Sequence, residues 1–88
     1  MIGYRNFERL KKIKDFFVVK APATKSIEMA GTDMIMEEVD IKRYLFGLPR
    51  DKHAFILVYC WNGISSRIIA KELVKRGYLN VFSLEGGI

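Results

Sequence analysis

The chain has 88 residues, 50% of them hydrophobic and 28% charged, with a formal net charge of +5 and a single cysteine. A chain this short makes one small domain that buries about 60 to 65% of the surface it exposes when unfolded. Its longest apolar run, AFILVYCW, falls well short of the roughly 18 residues a membrane-spanning helix needs, and one cysteine excludes an internal disulfide. The N-terminal stretch MIGYRNFERLKK has no apolar segment resembling a signal peptide, so the expected compartment is the cytoplasm, where a free thiol stays reduced. A basic balance admits nucleic acid, an anionic substrate or an acidic partner. The cations are spread along the chain, however, without the interleaved aromatics of an RNA-binding surface, which disfavours nucleic acid. The densest run, Lys11, Lys12 and Lys14, reads as the solvated face of a helix, with a docking or nucleic-acid surface as the alternative.

Asn6 to Lys14 repeats apolar residues at Phe7, Leu10 and Ile13 between charges, which predicts a helix with one buried stripe. Phe16 to Val19 is β-branched and aromatic and predicts a strand. Pro22 stops it, since proline cannot donate to a central ladder. Thr24 to Glu38 carries few signals beyond a turn at Gly31 and Asp33 and a short strand over Met34 to Met36. Asp40 is placed to cap a short helix over Ile41 to Phe46, closed by Gly47 and Pro49. Ala54 to Tyr59 is almost continuously apolar, the mark of a strand buried on both faces. Gly63 supplies a turn, and Ser65 to Arg76 predicts a helix with Ile68, Ile69, Leu73 and Val74 inward and Lys71, Glu72, Lys75 and Arg76 outward. Gly77 ends it at the C′ position, and Asn80 to Leu84 returns as a strand. Tyr44, Phe46, Tyr59, Tyr78 and Phe82 are expected in or near the core. Strand, helix, strand with short links is a βαβ unit. The expected fold class is therefore α/β, a small open parallel β-sheet flanked by helices, with residues 1–88 as a single domain.

In open α/β sheets, sites form at the carboxyl ends of strands, and Cys60 sits at one. Trp61, Asn62, Gly63, Ile64 and Ser65 lead from it into a helix whose first turn has unpaired N–H groups. If these converge on the sulfur, they and the helix dipole favour the thiolate over the thiol. Gly63 permits a conformation that a side chain would obstruct. Ser65 and Ser66 can donate to an anion or cap the helix, and Arg67 adds a positive charge suited to a sulfonate or phosphate. Trp61 is expected at the rim of the pocket. The alternative reading of a lone cysteine is a small buried hydrophobe. His53 lies seven residues before Cys60, an odd offset that sends the two side chains to opposite faces of a strand. Neither a zinc site nor a Cys-His pair is expected, and no metal or organic cofactor. The loop also resembles that of cysteine-dependent phosphatases, in which arginine follows the cysteine by six positions. Here Arg67 follows by seven, which makes phosphoryl transfer the weaker enzymatic reading.

From Ala54 to Ile88 the sequence resembles the rhodanese-like sulfurtransferase family. That family's apolar strand ends in a cysteine and is followed by a C-x-x-G-x-x-S loop, a helix with A-x-x-L, a G-[YF]-x-x-V-[YF]-x-L turn and strand, and a glycine pair. In this chain the corresponding runs are FILVYC, CWNGISS, AKEL, GYLNVFSL and EGGI. Many members carry arginine five positions after the cysteine, where this chain has Ser65. CWNGISSR is instead similar to the variant in small single-domain thiosulfate sulfurtransferases, with two serines followed by a basic residue. Upstream, the family's D-x-R strand end and G-H-I-x-G-A segment are echoed only weakly at Val18 to Lys20 and Ala30 to Met36. The family continues into a last helix past the point where this chain ends at Ile88, so a truncated rhodanese-like fold is expected, with uncovered apolar surface favouring a homo-oligomer. The resemblance implies that Cys60 accepts sulfur and that Trp61, Asn62, Gly63, Ile64, Ser65, Ser66 and Arg67 bind its persulfide and the substrate. It implies thiosulfate or a persulfide as donor and cyanide or a thiol as acceptor, including a thioredoxin-like or sulfur-relay protein. Two rival readings are a persulfide carrier between proteins and a noncatalytic interaction module that keeps Cys60 for packing.

Overall fold

The structure is a computed structural model that describes residues 1–21, 30–36, 41–60 and 64–84. Helix α1 (Tyr4–Lys11) leads into strand β1 (Phe16–Lys20), followed by β2 (Met34–Ile35), helix α2 (Ile41–Tyr44) with a 3₁₀ turn at Leu45–Gly47, β3 (Phe55–Tyr59), α3 (Ile64–Lys75) and β4 (Asn80–Ser83). The four strands form one sheet in the order β2-β1-β3-β4, with every pair parallel. Parallel strands buried on both faces need near-continuous apolar sequence, and β3, FILVY, supplies it at the centre, flanked by β1 and β4.

The register decides which side chains share a face. Phe16 pairs with Phe55 and Val18 with Leu57, and Leu57 pairs in turn with Phe82. With side chains alternating along each strand, this set lines one face under α1, where Ile2, Phe7, Tyr59 and Leu84 join it. Val19, Ala21, Ile56, Val58 and Cys60 line the other face, packed with Ile69 and Leu73 of α3 and with Met36, Leu48 and Tyr78.

α3 ends as its sequence predicts. Gly77 takes φ of +97°, its N–H reaches the Val74 carbonyl at 3.0 Å and the Tyr78 N–H reaches the Leu73 carbonyl at 3.2 Å. These two bonds are the Schellman pattern, which needs a left-handed residue and so favours glycine. Gly31, at φ of +84°, turns the chain ahead of β2. Tyr78 then donates its hydroxyl to the Pro49 carbonyl at 2.8 Å beneath the Lys52 ammonium, 3.9 Å from the ring centroid. The turn after α3 is thereby tied to the segment before β3.

Several side chains lie elsewhere than their spacing suggests. α1 begins at Tyr4, with the Phe7 N–H bonded to the Gly3 carbonyl, and stops at Lys11. The N–H groups of Ile13 and Lys14 both close on the Leu10 carbonyl, a terminal turn that carries Ile13 off the stripe to 73% exposure. Phe46 is 98% exposed rather than core, because α2 gives way at Leu45 to a 3₁₀ turn whose tighter winding rotates each side chain to a different bearing. Ile68 and Val74 point outward, 44% and 55% exposed. α3 touches the sheet along the narrow line of Ser66, Ile69 and Leu73, and those two residues fall on either side of it. Arg76, expected in solvent, is half-buried. Asp40 and Pro22, read as a cap and a strand stop, lie outside the described residues.

Candidate active site

Cys60 follows the last residue of β3, whose carbonyl still accepts the Ala21 N–H at 2.8 Å. Alternation along the strand gives Cys60 the same face as Ile56 and Val58, and that face is the one α3 covers. The first turn of α3 therefore lies over the sulfur. The Ser66 backbone N–H, one of the donors a helix leaves unpaired at its start, points to Cys60 Sγ at 3.4 Å, and Ser66 Oγ is 3.5 Å from the same sulfur. In the thiol form S–H donates to the hydroxyl oxygen. In the thiolate form the hydroxyl rotates to donate instead, so that Ser66 alone gives the anion two hydrogen bonds. Ser66 is fully buried and Cys60 is 1% exposed. Burial opposes charge on the sulfur, whereas the Ser66 donors and the helix N-terminus favour it. The sulfur is thus shielded from solvent and held against the N-terminus of a helix.

The other loop residues separate. Ile64 and Ser65 open α3, with Ile64 exposed and Ser65 half-buried. Arg67 is exposed and donates from Nη2 to the Met1 thioether at 3.0 Å, a neutral and weak acceptor that does not offset its charge. It lies on the flank of α3 that faces β4, together with Lys71 and Lys75. Trp61, Asn62 and Gly63 lie outside the described residues. His53 precedes β3 and donates its backbone N–H to Asp51 Oδ1 at 2.9 Å, while its carbonyl accepts from Asn80 Nδ2 at 2.8 Å. It is separated from Cys60 because the whole of β3 runs between them, not because of strand parity. Sequence reasoning missed Met1 as the neighbour of Arg67. It also missed the part-buried bond between Tyr59 Oη and Thr32 Oγ1 at 2.6 Å, which secures the strand end beside Cys60 from the opposite face. Neither contact has a local signal, since both join residues distant in the chain. No helix among the described residues is long and apolar enough to cross a membrane.

The chain is 51% identical over 37 residues to the thiosulfate sulfurtransferase GlpE of Coxiella burnetii, a stretch covering 42% of this chain and 35% of that protein. With the GlpE of Haemophilus influenzae it shares 56% identity over 32 residues, covering 36% of this chain and 30% of that one. The matched stretches thus span only about a third of those relatives' length. The fold superposes on the crystal structure of a rhodanese homolog from the extremely thermophilic bacterium Thermus thermophilus with a TM-score of 0.79 at 24% identity, covering 99% of this chain and 94% of that one. The rhodanese-like domain profile matches residues 6–88, nearly the whole chain, and the protein belongs to the rhodanese-like domain family.

Proposed function

We propose that this domain is a sulfurtransferase that carries sulfane sulfur on Cys60. The observation that supports it most is the Ser66 N–H, 3.4 Å from Sγ at the start of a twelve-residue helix. A packing cysteine needs no such donor, whereas a thiolate nucleophile and the terminal sulfur of a persulfide both gain from it. In the first step the Cys60 thiolate attacks the outer sulfur of thiosulfate. The sulfur–sulfur bond breaks, sulfite leaves with its electron pair, and a Cys60 persulfide forms. In the second, cyanide or a thiolate attacks the terminal persulfide sulfur, leaving as thiocyanate or as a new persulfide and returning Cys60 to its thiolate. Ser66 supports the persulfide through its N–H and hydroxyl, and Arg67 attracts the anionic donor by charge.

The test is intact mass spectrometry of reduced protein after exposure to thiosulfate. One added sulfur, about 32 mass units as expected for attack on a sulfur–sulfur bond, is the predicted result, and cyanide removes it as thiocyanate. If thiosulfate adds nothing but a persulfidated protein does, the domain is a carrier between proteins. If folded, reduced protein gains sulfur from neither, the sulfurtransferase reading is wrong.

A further inference from the structure

On the Cys60 side of the sheet, α3 and β4 enclose an open groove of about 570 Å³. Its helical wall carries Arg67, Lys71 and Lys75, spaced four residues apart and therefore stacked in one row. Val74 and Val81 give it apolar walls, and Met1 also lines it. Among the described residues no carboxylate lines the groove. Lys75 meets Glu72 nearby at 3.4 Å, an exposed pair of the kind that contributes little. The groove adjoins the sulfur site, because Arg67 directly follows Ser66 and the lining residue Ser83 pairs with Val58, two residues from Cys60 on the same face.

We propose that this groove docks a segment of a partner protein in which carboxylates flank an apolar side chain. The cationic row selects the carboxylates, and Val74 and Val81 take the apolar side chain, an arrangement of no use to a small inorganic anion. The volume falls within the roughly 300–1,000 Å³ typical of sites for much larger ligands. Nucleic acid is less well served, since no aromatic residue lines the groove among the described residues to stack a base. A second copy of this chain would set a net charge of +5 against the same cationic row. That the partner donates or accepts sulfur rests on the sulfurtransferase reading; the docking does not.

The experiment is a titration of the ¹⁵N-labelled full chain with a short peptide of glutamates interspersed with leucines. A lysine–leucine peptide of the same length and a single-stranded oligothymidylate serve as comparison probes. The acidic peptide is expected to move the amide signals of Lys71, Val74 and Val81, with affinity falling as salt rises. Lys71→Glu combined with Lys75→Glu is expected to weaken it by about tenfold while leaving thiosulfate loading of Cys60 and the melting temperature unchanged. Signals that move elsewhere or not at all, preference for the oligothymidylate or the lysine peptide, or self-association through these residues in sedimentation would each overturn the proposal. Sulfur loading without peptide binding sinks the groove alone, and peptide binding without loading sinks the sulfurtransferase reading alone.

Discussion

The two faces of the sheet are built from different chemistry. Beneath α1 the face is aromatic: Phe16 meets Phe7 and Phe55 edge to face, at centroid distances of 5.2 and 5.5 Å, and Phe55 stacks with Phe82 at 6.0 Å. Lys11 and Lys14 lie over the Phe7 and Phe55 rings at 5.8 and 5.6 Å. Beneath α3 the buried strand residues are aliphatic, with Val19, Ala21, Ile56 and Val58 against Ile69 and Leu73, and Phe17 is the one strand phenylalanine packed on this side, partly buried. Interlocked rings bury large area at favourable geometry but hold the covering element away from the backbone of the sheet. Small side chains let a helix approach, and on that side a backbone N–H comes within 3.4 Å of the sulfur. Bulk on one face and a close helix on the other divide the core between an anchor and the site proposed for sulfur transfer.

Several substitutions test that division. The largest expected effect is on chemistry: Cys60→Ser abolishes sulfur loading by intact mass while circular dichroism remains that of the native fold, since a hydroxyl is far less nucleophilic than a thiolate at neutral pH. Next are the two anchors. Phe7→Ala, on the aromatic face, is expected to cost about 3–5 kcal/mol and Leu73→Ala, on the face of Cys60, about 2–5 kcal/mol in urea unfolding, out of a total of roughly 5–15 kcal/mol for a domain of ordinary stability. They differ in their second readout. Leu73→Ala speeds iodoacetamide labelling of Cys60 under native conditions because it loosens α3 over the sulfur, and Phe7→Ala does so only as far as it unfolds the whole domain. Equal acceleration by both would show that the faces are not independent. Ser66→Ala keeps the backbone donor and removes the hydroxyl, so a stability loss of about 1 kcal/mol is expected. In the wild type the labelling rate is expected to rise through an inflection below the ~8.5 of a free cysteine, and Ser66→Ala shifts that inflection upward. No shift would remove the hydroxyl from the account of the thiolate. The smallest effect is at Phe46, where replacement by serine should change stability by less than about 0.5 kcal/mol, because the ring stands clear of both faces.

Sequence alone determined the second half of the chain well. The run FILVY, the helix over Ile64–Lys75, Gly77 at its end and the returning strand are dictated by local periodicity and turn chemistry, as is the placement of Cys60 at a strand end. These signals are strong because each depends on residues a few positions apart. What only the tertiary structure decided depends on contacts that no local pattern encodes. The register of β3 against β1 and β4 sorted Phe16, Phe55 and Phe82 to one face and Phe17 to the other. The narrowness of the contact between α3 and the sheet left Ile68 and Val74 outside, and the change from α to 3₁₀ winding at Leu45 exposed Phe46. Met1 and Arg67, 66 residues apart, met at one edge. A helix stripe read from sequence reports which residues are able to face a core; how many of them do so is set by the width of the surface the helix lies on.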